Sequence, residues 1–134
     1  MRRVIVAAFL GFAITISMTA FAHEGHDKAP GALSAPNGGS IKGTSSYFAE
    51  VVYDAGKVKV FVYDHDMKSL KSSSVKVTAT VKFPKSSKPA ELKLTPSGDA
   101  LVGTVDAKGA HRFSVNLSIG KDGKSEKVSF NIEP

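Results

Sequence analysis

Histidine carries most of the possible chemistry of this 134-residue chain, which has no cysteine and four histidines: His23, His26, His65 and His111. The lack of cysteine excludes a disulfide scaffold, a thiolate metal site and a cysteine nucleophile. Imidazole nitrogens are ligands for copper, zinc and nickel, and they exchange protons near neutral pH. Any metal chemistry of this chain therefore depends on these four imidazoles.

The first two histidines follow a predicted export signal, residues 1–22. Arg2 and Arg3 precede an apolar run over residues 4–16, and Ala20-Phe21-Ala22 provides a small-x-small cleavage site. A retained membrane anchor is the alternative, although this run is short for a membrane span and is followed at once by polar residues. Cleavage after Ala22 predicts a periplasmic or secreted protein of 112 residues that begins at His23.

A chain that begins at His23 can chelate a metal ion with its α-amine and its first imidazole. A second imidazole, from His26 or from the folded domain, would complete a three-nitrogen site. Such a site suits Cu(II) best, with Ni(II) and Zn(II) behind. Glu24 and Asp27 add carboxylates within the same six residues, HEGHDK. The alternative is that this short segment serves only solubility.

A second candidate site is the tetrapeptide Asp64-His65-Asp66-Met67, directly after the predicted strand 57–63. Two carboxylates flank one imidazole, and the thioether of Met67 favours Cu(I). The alternative is an ordinary polar loop in which Asp64 caps a turn and His65 is solvated.

His111 shares the alternation of Phe113, Val115 and Leu117, which places it at the rim of an apolar strand face. It is either a hydrogen-bonded edge residue or a ligand. His65 and His111 are the two imidazoles of the predicted folded domain. They form a site together only if the fold brings them to the same end.

Charge and motif content argue against several other functions. Without Arg2 and Arg3 the chain has 16 basic and 12 acidic residues, so its net charge falls from +6 to +4. Basic residues are not interleaved with aromatic ones, so no nucleic-acid partner is expected. No Gly-x-Ser-x-Gly motif is present, and we expect no enzymatic activity.

Period-two alternation of apolar and polar residues predicts an all-β fold for residues 39–134. Turn residues at 54–56, 96–99 and 120–123 separate the strands. We expect an immunoglobulin-like antiparallel β-sandwich of about seven strands, with a flexible arm over residues 23–38. The predicted strands are 47–53, 57–63, 75–81, 90–95, 100–105, 110–119 and a last one containing Val128, Phe130 and Ile132, with a possible short strand at 39–42.

Several short motifs resemble one family. They are Ala35-Pro36-Asn37-Gly38-Gly39, Glu50-Val51-Val52, the stretch from Gly56 to Asp66 and the stretch from Leu94 to Asp99. Together they are similar to small exported β-sandwich domains, found alone or fused to periplasmic adaptor subunits of bacterial heavy-metal efflux systems. The likeness covers residues 37–132. Such domains commonly have a histidine, a possible metal ligand, where this chain has Asn37, so the resemblance implies a weakened or lost ligand there.

A histidine at the start of an exported sandwich also resembles periplasmic copper-resistance carriers, in which the terminal amine and imidazole bind Cu(II). Together these features predict a periplasmic metal-binding protein that acts as a carrier, a buffer or an efflux accessory. Copper is the expected ion, with zinc or nickel as alternatives, and a periplasmic efflux or envelope protein is a possible partner. The expected ligands are His23, His26, His65, His111, Asp64 and Asp66. The alternative is an exported interaction module that pairs with a partner protein through a strand edge and has no metal role.

Overall fold

Two antiparallel sheets make up residues 33–134, which are the residues described by this computed structural model. Within this range there are nine strands and no helix. These residues therefore contain no apolar helix long enough to cross a membrane. Residues 1–32, with the predicted signal peptide, His23 and His26, lie outside the described residues. The strands are β1 (Ser40–Gly43), β2 (Phe48–Asp54), β3 (Lys57–Tyr63), β4 (Lys76–Lys82), β5 (Ala90–Leu92), β6 (Thr95–Ser97), β7 (Ala100–Thr104), β8 (Phe113–Lys121) and β9 (Lys124–Ile132).

The strand order confirms the immunoglobulin-like sandwich. Sheet A has the order β1-β2-β3-β7-β6, and sheet B has the order β5-β4-β8-β9. Without β1, these orders match the A-B-E-D and C′-C-F-G strands of immunoglobulin domains. The chain changes sheet three times, between β3 and β4, between β5 and β6, and between β7 and β8.

The core lies between the sheets and is built from every second residue of their strands. The predicted inward residues of β8 are all buried, and Phe130 and Ile132 of β9 are buried with them. Each such side chain contributes about 1.5–3 kcal/mol to folding through apolar burial. The side chains that are at most 2% exposed and fill the centre are Ala49, Val51, Val58, Val60, Phe113, Val115, Leu117, Ile119 and Phe130.

Two of the predicted hairpins close with two-residue turns in which both residues have positive φ. Ala55 and Gly56 have φ of 46° and 83°, and Asp122 and Gly123 have φ of 54° and 77°. Turns of this kind match the right-handed twist of the strands that they join. The predicted turn at residues 96–99 is shorter than expected, because β6 extends to Ser97 and pairs with Ala100. Pro96 lies in this edge strand, where its missing N–H costs no ladder hydrogen bond.

The predicted strand over residues 90–95 is wrong as a single element. It forms β5 in sheet B and β6 in sheet A, and this division accounts for part of the difference between about seven expected strands and nine. The crossing needs a close approach between Leu92 and β7. A Cβ on Gly103 would lie 2.8 Å from the Leu92 side chain, so the glycine makes room for the crossing. Apolar alternation continues through Leu92 and Leu94, so periodicity alone gives no sign of the change of sheet.

The outer faces of the two sheets differ in chemistry. On sheet B, the outward residues of β4, β8 and β9 are lysine, threonine, serine, asparagine or glycine, as expected for a solvated face. The outer face of sheet A instead carries five half-buried apolar side chains, here called the outer apolar patch. Its members are Ile41, Phe48, Val52, Phe61 and Val102.

Candidate functional site

His65 and His111 lie at opposite ends of the sandwich. His65 follows β3, and its ring meets Phe48 at the start of β2 edge-on, with 5.9 Å between centroids. His111 precedes Phe113, whose ring packs 5.4 Å from that of Tyr53 at the other end of β2. The seven residues of β2 span about 20 Å, at about 3.3 Å per residue. The structure therefore does not bring these two imidazoles together.

The surroundings of His111 also differ from those expected. The prediction placed it at the rim of an apolar strand face, on a strand that began at residue 110. In the structure β8 begins at Phe113, and His111 is an exposed residue of the preceding loop. The alternation that it shares with Phe113 has no structural meaning there, because side chains alternate between faces only within a strand.

Hydrogen bonds within the β3–β4 loop hold the carboxylate of Asp64 in place. Its Oδ1 accepts hydrogen bonds from the backbone N–H groups of Asp66 and Lys68, both at 2.9 Å. The N–H of Met67 donates to the Asp64 carbonyl at 3.1 Å, and Met67 has a φ of 59°. Asp64 thus caps a turn, which was the structural alternative for this tetrapeptide. His65 and Asp66 are exposed on the loop.

No group of three or more His, Asp or Glu side chains is close enough to hold a metal ion within residues 33–134. The ligand assignments of His65, His111, Asp64 and Asp66 stay predictions. A three-nitrogen site in one chain therefore needs nitrogens from the segment with His23 and His26, which lies outside the described residues, with His26, His65 or His111 as the further imidazole.

Glu50 is a buried carboxylate that the sequence did not reveal as special. It lies in β2 on the outer face of sheet A, yet it has 0% exposure. Its Oε1 accepts from the N–H groups of Asn37 and Gly39, both at 2.9 Å. Its Oε2 accepts from Asn37 Nδ2 at 3.1 Å and from the Tyr63 hydroxyl at 2.7 Å. We call Asn37, Gly39, Glu50 and Tyr63 the carboxylate anchor.

The two glycines after Asn37 let the backbone reach Glu50. Gly38 has a φ of 76°, a conformation that favours glycine. A Cβ on Gly39 would lie 2.3 Å from the Val51 carbonyl oxygen, so a side chain at this position would push the segment off β2. The turn that results directs the N–H groups of residues 37 and 39 at the same carboxylate oxygen. Residues 35–39 are therefore held on sheet A.

Hydrogen bonding decides the charge of the anchor. Burial acts to raise the pKa of Glu50, but hydrogen bonds from Tyr63, Gly39 and Asn37 outweigh it and lower the pKa below its ordinary value of 4.5. Burial and the neighbouring Glu50 carboxylate raise the pKa of Tyr63. At neutral pH, Glu50 is therefore ionised and Tyr63 keeps its proton.

The donor count indicates what the anchor can do. An ionised carboxylate accepts about four hydrogen bonds, and Glu50 already accepts four from the chain itself. It has little remaining capacity for a metal ion or a substrate. Asn37, Glu50 and Tyr63 together fasten the segment before β1 to sheet A.

The sequence held only a weak signal for this group. Glu50 falls at an outward position of β2, where a charged residue is expected to be solvated. Its burial depends on Asn37, thirteen residues away. Of this group, the sequence marks only the tripeptide Asn37-Gly38-Gly39.

Comparison with known proteins gives no relative to which this site can be matched: no family model, curated protein or solved structure matches the chain.

Proposed function

We propose that this chain is an exported, non-enzymatic metal-binding protein, with copper as its principal ion, that acts as a carrier, a buffer or an efflux accessory. The observation that carries the proposal is the density of ligands in HEGHDK. His23, Glu24, His26 and Asp27 lie within six residues, directly after a predicted cleavage site. The terminal amine, with a pKa of about 8, is partly available as a ligand at neutral pH.

The layout of the sandwich supports a site centred on this segment. His65 and His111 lie at opposite ends of β2, which is about 20 Å long, so each can contribute to an ion only separately from the other. Asp64 has one carboxylate oxygen engaged in its own loop. The resemblance to domains of heavy-metal efflux systems agrees with this role. Zinc and nickel are the alternative ions.

A Cu(II) titration of the exported chain, followed by electron paramagnetic resonance, tests the proposal. We expect one equivalent of Cu(II) with a nitrogen-rich signal, lost or strongly weakened when one alanine is added before His23. A chain with one alanine added after Pro134 instead is the control for the extension itself. Equal binding by the extended and unextended chains would show that the terminal amine is not a ligand.

The outer apolar patch favours a second candidate function, an exported interaction module. The sequence predicts that such a module pairs through a strand edge, but the edge strands β1, β5 and β6 have only three or four residues. On the longer edge strand β9, Lys42 Nζ donates to the Ser129 carbonyl oxygen at 2.7 Å. Lysine at a sheet edge discourages pairing with another chain. A photo-reactive residue substituted at Phe61 of the patch would test this second function. A partner protein cross-linked through it, without any dependence on metal, would support the function.

A further inference from the structure

The outer face of sheet B carries positive charge without acidic side chains on its three long strands. Glu91, on the short edge strand β5, lies beside Thr80 and is the acidic residue of this face. The outward residues of β4, β8 and β9 include three exposed lysines and no acidic, apolar or aromatic side chain. This face therefore has a net positive charge along the strands. Its outward residues are Lys76, Thr78, Thr80, Lys82, Ser114, Asn116, Ser118, Gly120, Ser125, Lys127, Ser129 and Asn131.

Side-chain size makes the middle of this face concave. Between β4 and β9, the strand β8 presents the short side chains of Asn116 and Ser118, which are half-buried. They lie in an open depression of about 460 Å³, here called the polar trough. A smaller depression of about 160 Å³, bordered by Ser114, Lys82 and Arg112, follows it along β8. The side chains that line the polar trough are Thr78, Thr80, Asn116, Ser118, Lys127 and Ser129.

The polar groups of the trough are free to bind a ligand. Within residues 33–134, Ser114 is the one outward residue of β4, β8 or β9 whose side chain hydrogen-bonds to the protein, and this bond to the Lys82 carbonyl oxygen is long, at 3.5 Å. Threonine and serine hydroxyls both donate and accept, and the amide of Asn116 does the same through separate atoms. A ligand with several hydroxyl groups can therefore replace the water that these side chains otherwise bind.

The chemistry of this face argues against two other kinds of anionic partner. Proteins that bind single-stranded nucleic acid stack its bases on aromatic side chains, and the outward residues of β4, β8 and β9 include none. Phe83 borders the smaller depression, but its ring packs on Phe113 in the core. Binding to a membrane surface needs apolar side chains that enter the lipid, and these three strands turn theirs to the core. The expected ligand is instead hydrophilic along its whole length.

We propose that the polar trough binds an acidic polysaccharide. Lys127 pairs in register with Ser118, and Lys82 with Ser114, so the two lysines are about 13 Å apart along the strand direction. A sugar chain that lies along β8 reaches both lysines with its carboxylates, and its hydroxyl groups meet the hydroxyl and amide side chains between them. Single exposed ion pairs contribute little, so binding needs several such contacts and weakens as salt is added. It needs no metal ion and does not rest on the proposed function.

Chemical-shift titration in NMR tests the proposal with defined sugars. A galacturonate oligosaccharide is added to the ¹⁵N-labelled exported chain at low ionic strength, with a chelator present to exclude binding through a metal ion. We expect the amide signals of Thr80, Asn116 and Ser129 to shift with one common affinity, while those of Phe61 and Val102 on sheet A stay unchanged. A neutral galactose oligosaccharide of the same length should shift none of them. No shift on sheet B, or equal shifts on both sheets, would overturn the proposal.

Substitutions test the lysines and the hydroxyl groups separately. Lys127→Gln should weaken binding about threefold, the effect of one exposed ion pair. Lys59→Gln on sheet A makes the same change in net charge and is the matched control, which should bind as the parent chain does. Thr78→Val removes one hydroxyl at nearly constant shape and should also weaken binding about threefold, the effect of one hydrogen bond. Equal losses in Lys127→Gln and Lys59→Gln would show that net charge alone matters and would contradict a site on sheet B.

Inorganic polyphosphate distinguishes a sugar ligand from polyanions in general. It offers negative charge without the hydroxyl groups of a sugar chain. If the trough binds sugar, Thr78→Val should weaken binding of the galacturonate oligosaccharide more than binding of polyphosphate. If polyphosphate binds the same face more tightly and Thr78→Val changes the affinity for neither ligand, the face is a general anion surface and the assignment to a polysaccharide is wrong.

Discussion

Tyr63 donates its hydroxyl hydrogen to Oε2 of Glu50 over 2.7 Å, and this bond joins β3 to β2 on the outside of the sandwich. Both side chains are buried, although they lie on the face of sheet A that points away from the core. The cover is thin, because Asn37, which bonds to both of them, is itself exposed. A small polar centre thus fixes the place where the chain enters the fold.

Removal of the carboxylate should destabilise the domain. Glu50→Ala leaves the N–H groups of Asn37 and Gly39 and the Tyr63 hydroxyl without their acceptor. Unsatisfied buried donors cost about 1–3 kcal/mol each, and entry of water under the thin cover reduces the sum, so we expect a loss of about 2–4 kcal/mol in the free energy of unfolding. Urea unfolding measures it. Glu91→Ala, at an exposed position of β5, is the control and should change stability by less than about 0.5 kcal/mol. Equal effects of the two substitutions would contradict the role given to the anchor.

The same carboxylate should make stability depend on acid pH. The pKa of Glu50 is below its ordinary value of 4.5 in the folded chain, so the unfolded chain binds a proton more readily. The stabilisation is present in full above the unfolded pKa and is lost as pH falls through the lower, folded pKa. We expect stability to fall as pH decreases below about 4.5. Denaturant midpoints between neutral and acid pH measure the change.

Tyr63→Phe tests the source of this dependence. The variant removes the hydroxyl donor that is the largest of the influences lowering the pKa of Glu50. The stability lost between neutral and acid pH should therefore be smaller than in the parent chain. Tyr53→Phe is the matched control, because Tyr53 lies outside the anchor and packs through its ring. An unchanged acid dependence in Tyr63→Phe would show that another carboxylate is responsible.

How much the sequence could predict depended on how local each feature is. β3 has its predicted bounds, Lys57–Tyr63, because its alternation and the glycine of the preceding turn are both local signals. The change of sheet after Leu92 depends instead on room at Gly103, and the burial of Glu50 depends on Asn37. Neither partner is adjacent in sequence. For the same reason the sequence could not show whether His65 and His111 lie close together. The strand topology places them at opposite ends of the sandwich.

Two glycines in comparable strands test the account of the sheet crossing. A Cβ on Gly103 would lie 2.8 Å from the Leu92 side chain and 3.0 Å from the Lys93 carbonyl oxygen. Gly103→Ala should therefore overpack this point and cost about 1–3 kcal/mol. A Cβ on Gly120 would meet no atom closer than 3.5 Å, so Gly120→Ala in β8 should be neutral or slightly stabilising. Thermal unfolding of the two variants compares them, and a larger loss for Gly120→Ala would show that the crossing does not depend on Gly103.

Copper binding should depend on at most one of the two histidines of the sandwich. Because they lie at opposite ends of β2, one ion bound by the N-terminal segment can use His65 or His111 but not both. Loss of one imidazole from a three-nitrogen site typically costs tenfold or more in affinity, about 1.4 kcal/mol. We expect this loss in at most one of His65→Gln and His111→Gln, and competition titration with a chelator measures it. The double variant should then equal the more affected single variant, because the other histidine is remote from the ion. Comparable losses in both single variants, with one Cu(II) per chain, would mean that the ion bridges two chains or that the histidines do not stay at the two ends of one sandwich.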